Sequence, residues 1–271
     1  MRRREGCAIR KRGRRTRTAW IASTAALIVA VLAAMWVMAP AAPAVVTPST
    51  LTMPSAGVTP AVGALFSTDG GQLGTHFCTA SVVDSTAGDL LVTAAHCLNS
   101  YRATSPGLVF VPGYDNGTAP YQAWTVTRIF VDPAWASAAD PDDDVAFLVV
   151  AQPGSHTRIE NVTGAEHLGI GQPATGTVRV VGYPDTQDQP ISCQNRTRAF
   201  GPGQMEFDCD NYTDGTSGGP FLAGVDPATG EETVIGVIGG YQQGGDSPDV
   251  SYSARFGPQV QSLYETAISG S

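Results

Sequence analysis

The sequence predicts an all-β fold with one helix at its C-terminal end. Three observations carry that expectation. Gly (31) and Pro (19) are frequent in a chain of 271 residues and imply many turns. Between those turns, short apolar or alternating runs recur, rich in Val, Ile, Phe, Tyr and Thr. Helical spacing of apolar residues stands out only near the end. The strand runs are 62–66, 77–83, 90–95, 107–111, 124–130, 145–150, 178–183, 233–240 and 250–256. Their number and spacing suit a sandwich or a barrel. In PQVQSLYETAI, 258–268, the residues Val260, Leu263, Tyr264 and Ile268 form one apolar stripe. No solenoid repeat is visible.

Charge divides the chain. Nine of its 16 basic residues lie in the first 17 positions. From residue 18 onward seven Arg face 23 acids, a net charge of −16. An acidic body disfavours nucleic acid as a partner, because phosphate binding needs cations. The basic N-terminus is followed by 21 uncharged residues, 19–39, and by Ala42-Pro43-Ala44, an A-x-A-like cleavage site. Residues 1–44 therefore read as an export segment, either a cleaved signal peptide or an uncleaved signal anchor long enough to cross a bilayer. Residues 45–57, rich in Pro, Ala, Ser and Thr, read as a linker or propeptide remnant. The body is then 58–271, secreted or held outside by the N-terminal anchor.

Five cysteines are present, and Cys7 belongs to the basic tail. Cys78, Cys97, Cys193 and Cys209 form an even set in an exported body, as two disulfides require. Three pairings are open, and spacing favours Cys78–Cys97 with Cys193–Cys209. A zinc site would want C-x-x-C or His at metal spacing, and neither occurs. No metal and no cofactor are expected. The acid run at 140–144 lacks an EF-hand-like pattern.

The chemistry concentrates in DGTSGGP, 214–220. Gly215-Thr216-Ser217-Gly218-Gly219 fits G-x-S-x-G, the strand-to-helix turn of α/β-hydrolases, which need a histidine after the serine. The four histidines are His76, His96, His156 and His167, and none follows Ser217. The order His, Asp, Ser can be filled instead. His96 ends LLVTAAHCL beside Cys97, and Asp144 directly precedes the apolar run 145–150. Asp142 and Asp143 are expected to be solvated, His76 to be structural, and His156 and His167 to lie in surface loops.

TAAHC, DVAFL and GTSGGP, with HFC at 76–78 and VDPAW at 131–135, together resemble the trypsin/chymotrypsin-like serine peptidases, particularly their secreted bacterial branch. The resemblance covers about residues 60–265. It implies two antiparallel β-barrels, about 58–160 and 161–257, with the C-terminal helix behind them and the site in the cleft between. It implies His96, Asp144 and Ser217 as a catalytic triad and the backbone amides of Gly215 and Ser217 as an oxyanion hole. It places the substrate pocket near Asn211, Tyr212, Gly239, Gly240 and Tyr241. The implied activity is endopeptidase hydrolysis of protein or peptide substrates; a monomer is expected, although the sequence does not fix the oligomeric state. A catalytically idle binding relative and an esterase on the same scaffold are the alternatives.

Several positions depart from the family pattern. Thr216 stands where members activated by cleavage carry Asp, and no I-V-G-G-like start is visible, so the site is expected to be competent without a buried N-terminal ion pair. Gly239 replaces the serine that usually supports the catalytic aspartate. Asn211 stands where trypsin-like enzymes carry Asp, which argues mildly against Arg/Lys preference. A glutamate-specific mode would use a late histidine, which this chain lacks.

Overall fold

The computed structural model describes residues 59–270, apart from 70, 102–106, 226, 227 and 229. The export segment 1–44 and the linker 45–57 lie outside the described residues. Among the described residues no helix is long and apolar enough to cross a membrane.

The first half is a closed barrel of six strands. They are β1 (Val62–Asp69), β2 (Gln72–Val83), β3 (Leu90–Thr93), β4 (Leu108–Pro112), β5 (Trp124–Val131) and β6 (Ala146–Ala151), in the ring order β1-β2-β3-β6-β5-β4. Every pairing in the ring is antiparallel. Closure leaves no free edge and gathers the inward side chains into one core. Leu65, Leu90, Leu91, Phe110, Trp124, Phe147 and Leu148 are wholly buried there. The indole of Trp124 keeps a partner inside, donating to Tyr121 O at 3.0 Å.

VDPAW forms a short helix that the strand pattern did not announce, α1 (Pro133–Ala138). Asp132 caps it by accepting from Ala134 N at 2.7 Å, proline fills its first turn, and Ala139 ends it in the left-handed region. A second helix, α2 (Glu160–Thr163), lies in the connection between the halves.

The second half contains β7 (His167–Leu168), β8 (Thr177–Gly182), β9 (Ile191–Arg196), β10 (Arg198–Phe200), β11 (Gln204–Asp208), β12 (Pro220–Val225), β13 (Glu232–Val237) and β14 (Val250–Ala254). These strands wrap a second core with two sheets, β7-β13-β12-β8-β9 and β10-β11-β14. The short β7 runs parallel to β13. β13 and β14 belong to different sheets, and Val237 N of β13 donates to the Ser253 hydroxyl of β14 at 2.9 Å. Beyond that point Gly239 N donates to Tyr252 O at 3.0 Å and ties the sheets together. The Cys193–Cys209 disulfide ties them again, and Cys78–Cys97 is the other bridge, so the pairing favoured by spacing is the one present.

The halves are joined at several points. Helix α3 (Pro258–Gly270) follows the second half but packs against β5 and β6 of the first. Val260, Leu263 and Ala267 are its buried face, and the Tyr264 hydroxyl donates to Asp84 O at 2.8 Å. His167 is not in a loop but on β7. Its two ring nitrogens lie against the carboxylates of Asp84 of the first half and, at 3.0 Å, of Glu231.

Candidate active site

Each proposed catalytic side chain sits where a regular element ends. β3 stops at Thr93, and residues Ala95–Leu98 form a 3-10 turn carrying His96. Cys97 in that turn is bridged to Cys78 of β2, which fixes the turn against the barrel wall. The bridge also removes both thiolates, so the Cys78–His96–Cys97 grouping offers a metal no thiolate. Asp144 follows a second 3-10 turn, Pro141–Asp143, and lies two residues before β6. Ser217 lies in the turn before β12.

Asp144 is wholly buried and is met by three donors. His96 N reaches Oδ1 at 2.8 Å, while His96 Nδ1 and Gly240 N both reach Oδ2 at 2.8 Å. A carboxylate only accepts, so Nδ1 carries a proton, and the neutral ring then has its lone pair on Nε2. The departure at Gly239 now has a physical account. A Cβ there would lie 3.0 Å from Asp144 Oδ2, and the next residue's N–H supplies the hydrogen bond instead.

His96 and Ser217 line one cleft of about 690 Å³. Its wall comprises residues 77–78, 96–97, 212–217 and 242–248, with Ile238. The turn bearing the serine is held from behind by Thr79 of β2, which is fully buried. Thr79 Oγ1 donates to Gly215 O at 3.0 Å and accepts from Tyr183 N at 2.9 Å, and Thr79 N donates to Ser217 O at 2.7 Å. Thr93 Oγ1 in turn donates to Thr79 O at 2.7 Å. Among the described residues, the N–H groups of Gly215 and Ser217 make no hydrogen bond within the chain, although both carbonyls are engaged. Gly215 has φ +92, and a Cβ on it would meet Asp185 N at 2.4 Å and Tyr183 O at 2.5 Å. Gly218 and Gly219 pack equally closely, the first against Thr93 Oγ1 and the second against Val181 O. Thr216 is buried and its hydroxyl donates to Thr213 O at 2.7 Å, so it is satisfied locally.

The five residues placed near the substrate pocket are distributed differently by the structure. Tyr212 lines the cleft, with its hydroxyl turned away to donate to Val180 O at 2.8 Å and its ionisation pushed up by burial. Asn211 is an exposed turn residue with φ 72. Gly239 and Gly240 face Asp144. Tyr241 packs with Phe200 and Tyr252, at centroid distances of 5.0 and 5.1 Å. The rest of the far wall comes from 242–248, where Gln242 Nε2 donates to Asp246. Gln242 and Gln243 both have positive φ, 52 and 53. Asp214 and Asp246 line the cleft, and no Arg or Lys does. Asp142 and Asp143 are half-buried rather than solvated. Asp142 accepts from Gln204 Nε2, and burial raises the Asp143 carboxyl above its usual range, helped by Asp132, Asp140 and Asp142.

The model of the trypsin-like peptidase domain matches residues 74–248. The chain belongs to that family. This trypsin-like peptidase is a serine endopeptidase by fold and kinship. The protease Anisep from Arthrobacter nicotinovorans is 26% identical, with 80% of this chain and 98% of that chain covered and a TM-score of 0.65. A thermostable serine protease, AL20, from an extremophilic microorganism is also 26% identical, with 79% and 99% covered and the same TM-score. A Glu endopeptidase at 17% identity and TM-score 0.59, with 83% and 100% covered, shares the fold. No curated protein matches the chain.

Proposed function

We propose that the cleft hydrolyses peptide bonds through a Ser217–His96–Asp144 triad and an acyl-enzyme. One observation carries the proposal: the buried Asp144 holds His96 through Nδ1, and His96 shares its cleft with Ser217. A serine hydroxyl is a weak nucleophile, so His96 Nε2 takes its proton while Oγ attacks the carbonyl carbon. The electron pair moves to the carbonyl oxygen, and the amides of Gly215 and Ser217 receive that charge. Asp144 stabilises the imidazolium, which then protonates the leaving amine. Water repeats the sequence on the acyl-enzyme.

The locally satisfied Thr216 supports a site that needs no N-terminal ion pair. The carboxylates of Asp214 and Asp246 in the cleft, with no Arg or Lys there, favour cationic side chains around the scissile bond. This shifts the expectation drawn from Asn211, which does not line the cleft. Two disulfides suit an oxidising compartment, and the body 58–271 is proposed to act outside the cytoplasm after export by 1–44.

The test is fluorophosphonate labelling of the full chain recovered after export, with Ser217→Ala and His96→Ala beside it. Adduct at Ser217 that requires His96 is the expected result. A folded protein that takes no label would be a binding relative. Cleavage of simple esters with no cleavage of peptide amides would make it an esterase.

A further inference from the structure

We infer that Gln204 is a positioning residue for Asp144, acting through both chain segments that hold the aspartate. The inference rests on the triad reading above. Gln204 opens β11 in the second half and is 6% exposed. Its Nε2 donates to Pro141 O at 3.0 Å and to Asp142 Oδ1 at 2.6 Å, both in the turn that delivers Asp144. Its Oε1 accepts from Tyr241 N at 3.1 Å, one residue beyond Gly240. The orientation of the amide is dictated by its partners. A carbonyl and a carboxylate can only accept, and a backbone N–H can only donate.

These contacts close a ring. Gly240 N donates to Asp144 Oδ2, Asp144 continues by backbone to Asp142, Asp142 accepts from Gln204, and Gln204 accepts from Tyr241. One buried amide thereby sets the separation between the acid from the first half and its donor from the second. Gly240 is shaped to the same end. Its φ is +77, and a Cβ there would stand 2.1 Å from Gln204 Oε1, in the space the amide uses. With glycine at 239, Asp144 has no side-chain donor from that segment and depends on the placement of the Gly240 N–H. A buried amide is costly unless satisfied, and here its partners are the two segments flanking Asp144. Asp142, half-buried beside the site, is then an anchor point rather than a spare acid.

The experiment measures the fluorophosphonate labelling rate against pH for the full chain after export. Wild type, Ser217→Ala, Gln204→Met and Gln204→Glu are compared, each with a thermal melt. Methionine keeps length and burial but removes both ends of the link. Glutamate keeps the acceptor for Tyr241 N and turns a carboxylate oxygen toward Pro141 O and Asp142. A displaced Asp144 stabilises the imidazolium less, so both variants are expected to label roughly 10- to 100-fold more slowly. The acid limb of Gln204→Met is expected to move to lower pH, and that of Gln204→Glu to be displaced from wild type. A Gln204 that merely holds the fold would lower the melting temperature and leave rate and limb unchanged, which overturns the inference. If Gln204→Met does not fold, Gln204→Glu decides: a wild-type rate and limb overturn the inference, and a slowed, displaced profile supports it. Absence of label on wild type overturns the triad reading and this inference with it. Labelled wild type with unchanged Gln204 variants overturns this inference alone.

Discussion

Replacing Asp144 by asparagine preserves shape, removes the negative charge and leaves only one end of the side chain able to accept. The carboxylate takes His96 N at Oδ1 and both His96 Nδ1 and Gly240 N at Oδ2, each at 2.8 Å. Asparagine has one acceptor oxygen and one NH₂. With its oxygen at the Oδ2 position, the NH₂ faces the His96 backbone N–H, donor against donor. Turned over, the NH₂ faces the Gly240 N–H, and His96 Nδ1 must become an acceptor. The ring proton then sits on Nε2, the atom that has to receive the proton of Ser217. Either way one buried N–H loses its acceptor, which destabilises by about 1–3 kcal/mol. At roughly 2–4 °C per kcal/mol for a domain of this size, the melting temperature falls by several degrees. The wrong tautomer lowers rates at Ser-His-Asp sites by about 10⁴-fold, equivalent to about 5.5 kcal/mol of transition-state stabilisation. Fluorophosphonate labelling well below the melting temperature reads the rate, and a thermal scan reads the stability. A folded Asp144→Asn protein labelled within about tenfold of wild type would refute the tautomer argument.

Gly215→Ala forces a Cβ to within 2.4 Å of Asp185 N, so the turn must move its amides; labelling is expected to fall by about 10²–10³. A wild-type rate in that variant would remove Gly215 from the oxyanion hole. Cys78→Ala with Cys97→Ala opens a bridge of sequence separation 19 and is expected to lower stability by about 3 kcal/mol, read as a lower denaturant midpoint. An unchanged midpoint would contradict this. Glu166 is 5% exposed and its carboxyl is pushed up to about 7, chiefly by burial, against an ordinary 4.5. A raised folded value means its contribution is present below about 4.5 and is lost as pH rises through about 7. The stability of wild type relative to Glu166→Gln should therefore fall by up to about 3 kcal/mol across that interval, and denaturant melts showing a constant difference would exclude it. Asp246→Asn should weaken a preference for Arg or Lys over Glu near the scissile bond in peptide-library profiling, whereas a Glu-preferring wild type would contradict the charge argument.

The strands of the first barrel are legible because its buried residues form compact apolar runs, and those at 62–66, 90–95, 124–130 and 145–150 mark β1, β3, β5 and β6. β9 and β10 are not legible, since ISCQNR and RAF keep mostly polar or exposed side chains along an edge. β12 is hidden because it begins at Pro220, inside the serine motif. α1 is set by a cap and a proline rather than by an apolar stripe.

Sequence alone carried the resemblance to trypsin-like peptidases and the favoured Cys78–Cys97 and Cys193–Cys209 pairing, together with the expectation of a His96, Asp144 and Ser217 site and of an export segment at 1–44. Those are properties of residue type and local spacing, which a linear pattern carries. Only the tertiary structure decided that Gly240 N–H steadies Asp144, that Thr79 and Gln204 brace the two sides of the site, and that Asp246 rather than Asn211 lines the cleft. The bracing contacts of Gly240, Gln204 and the Thr79–serine turn join residues from 37 to 138 positions apart, and no local pattern encodes them. They exist because the two halves share a continuous buried core at their seam, where backbone and side-chain groups find partners across it.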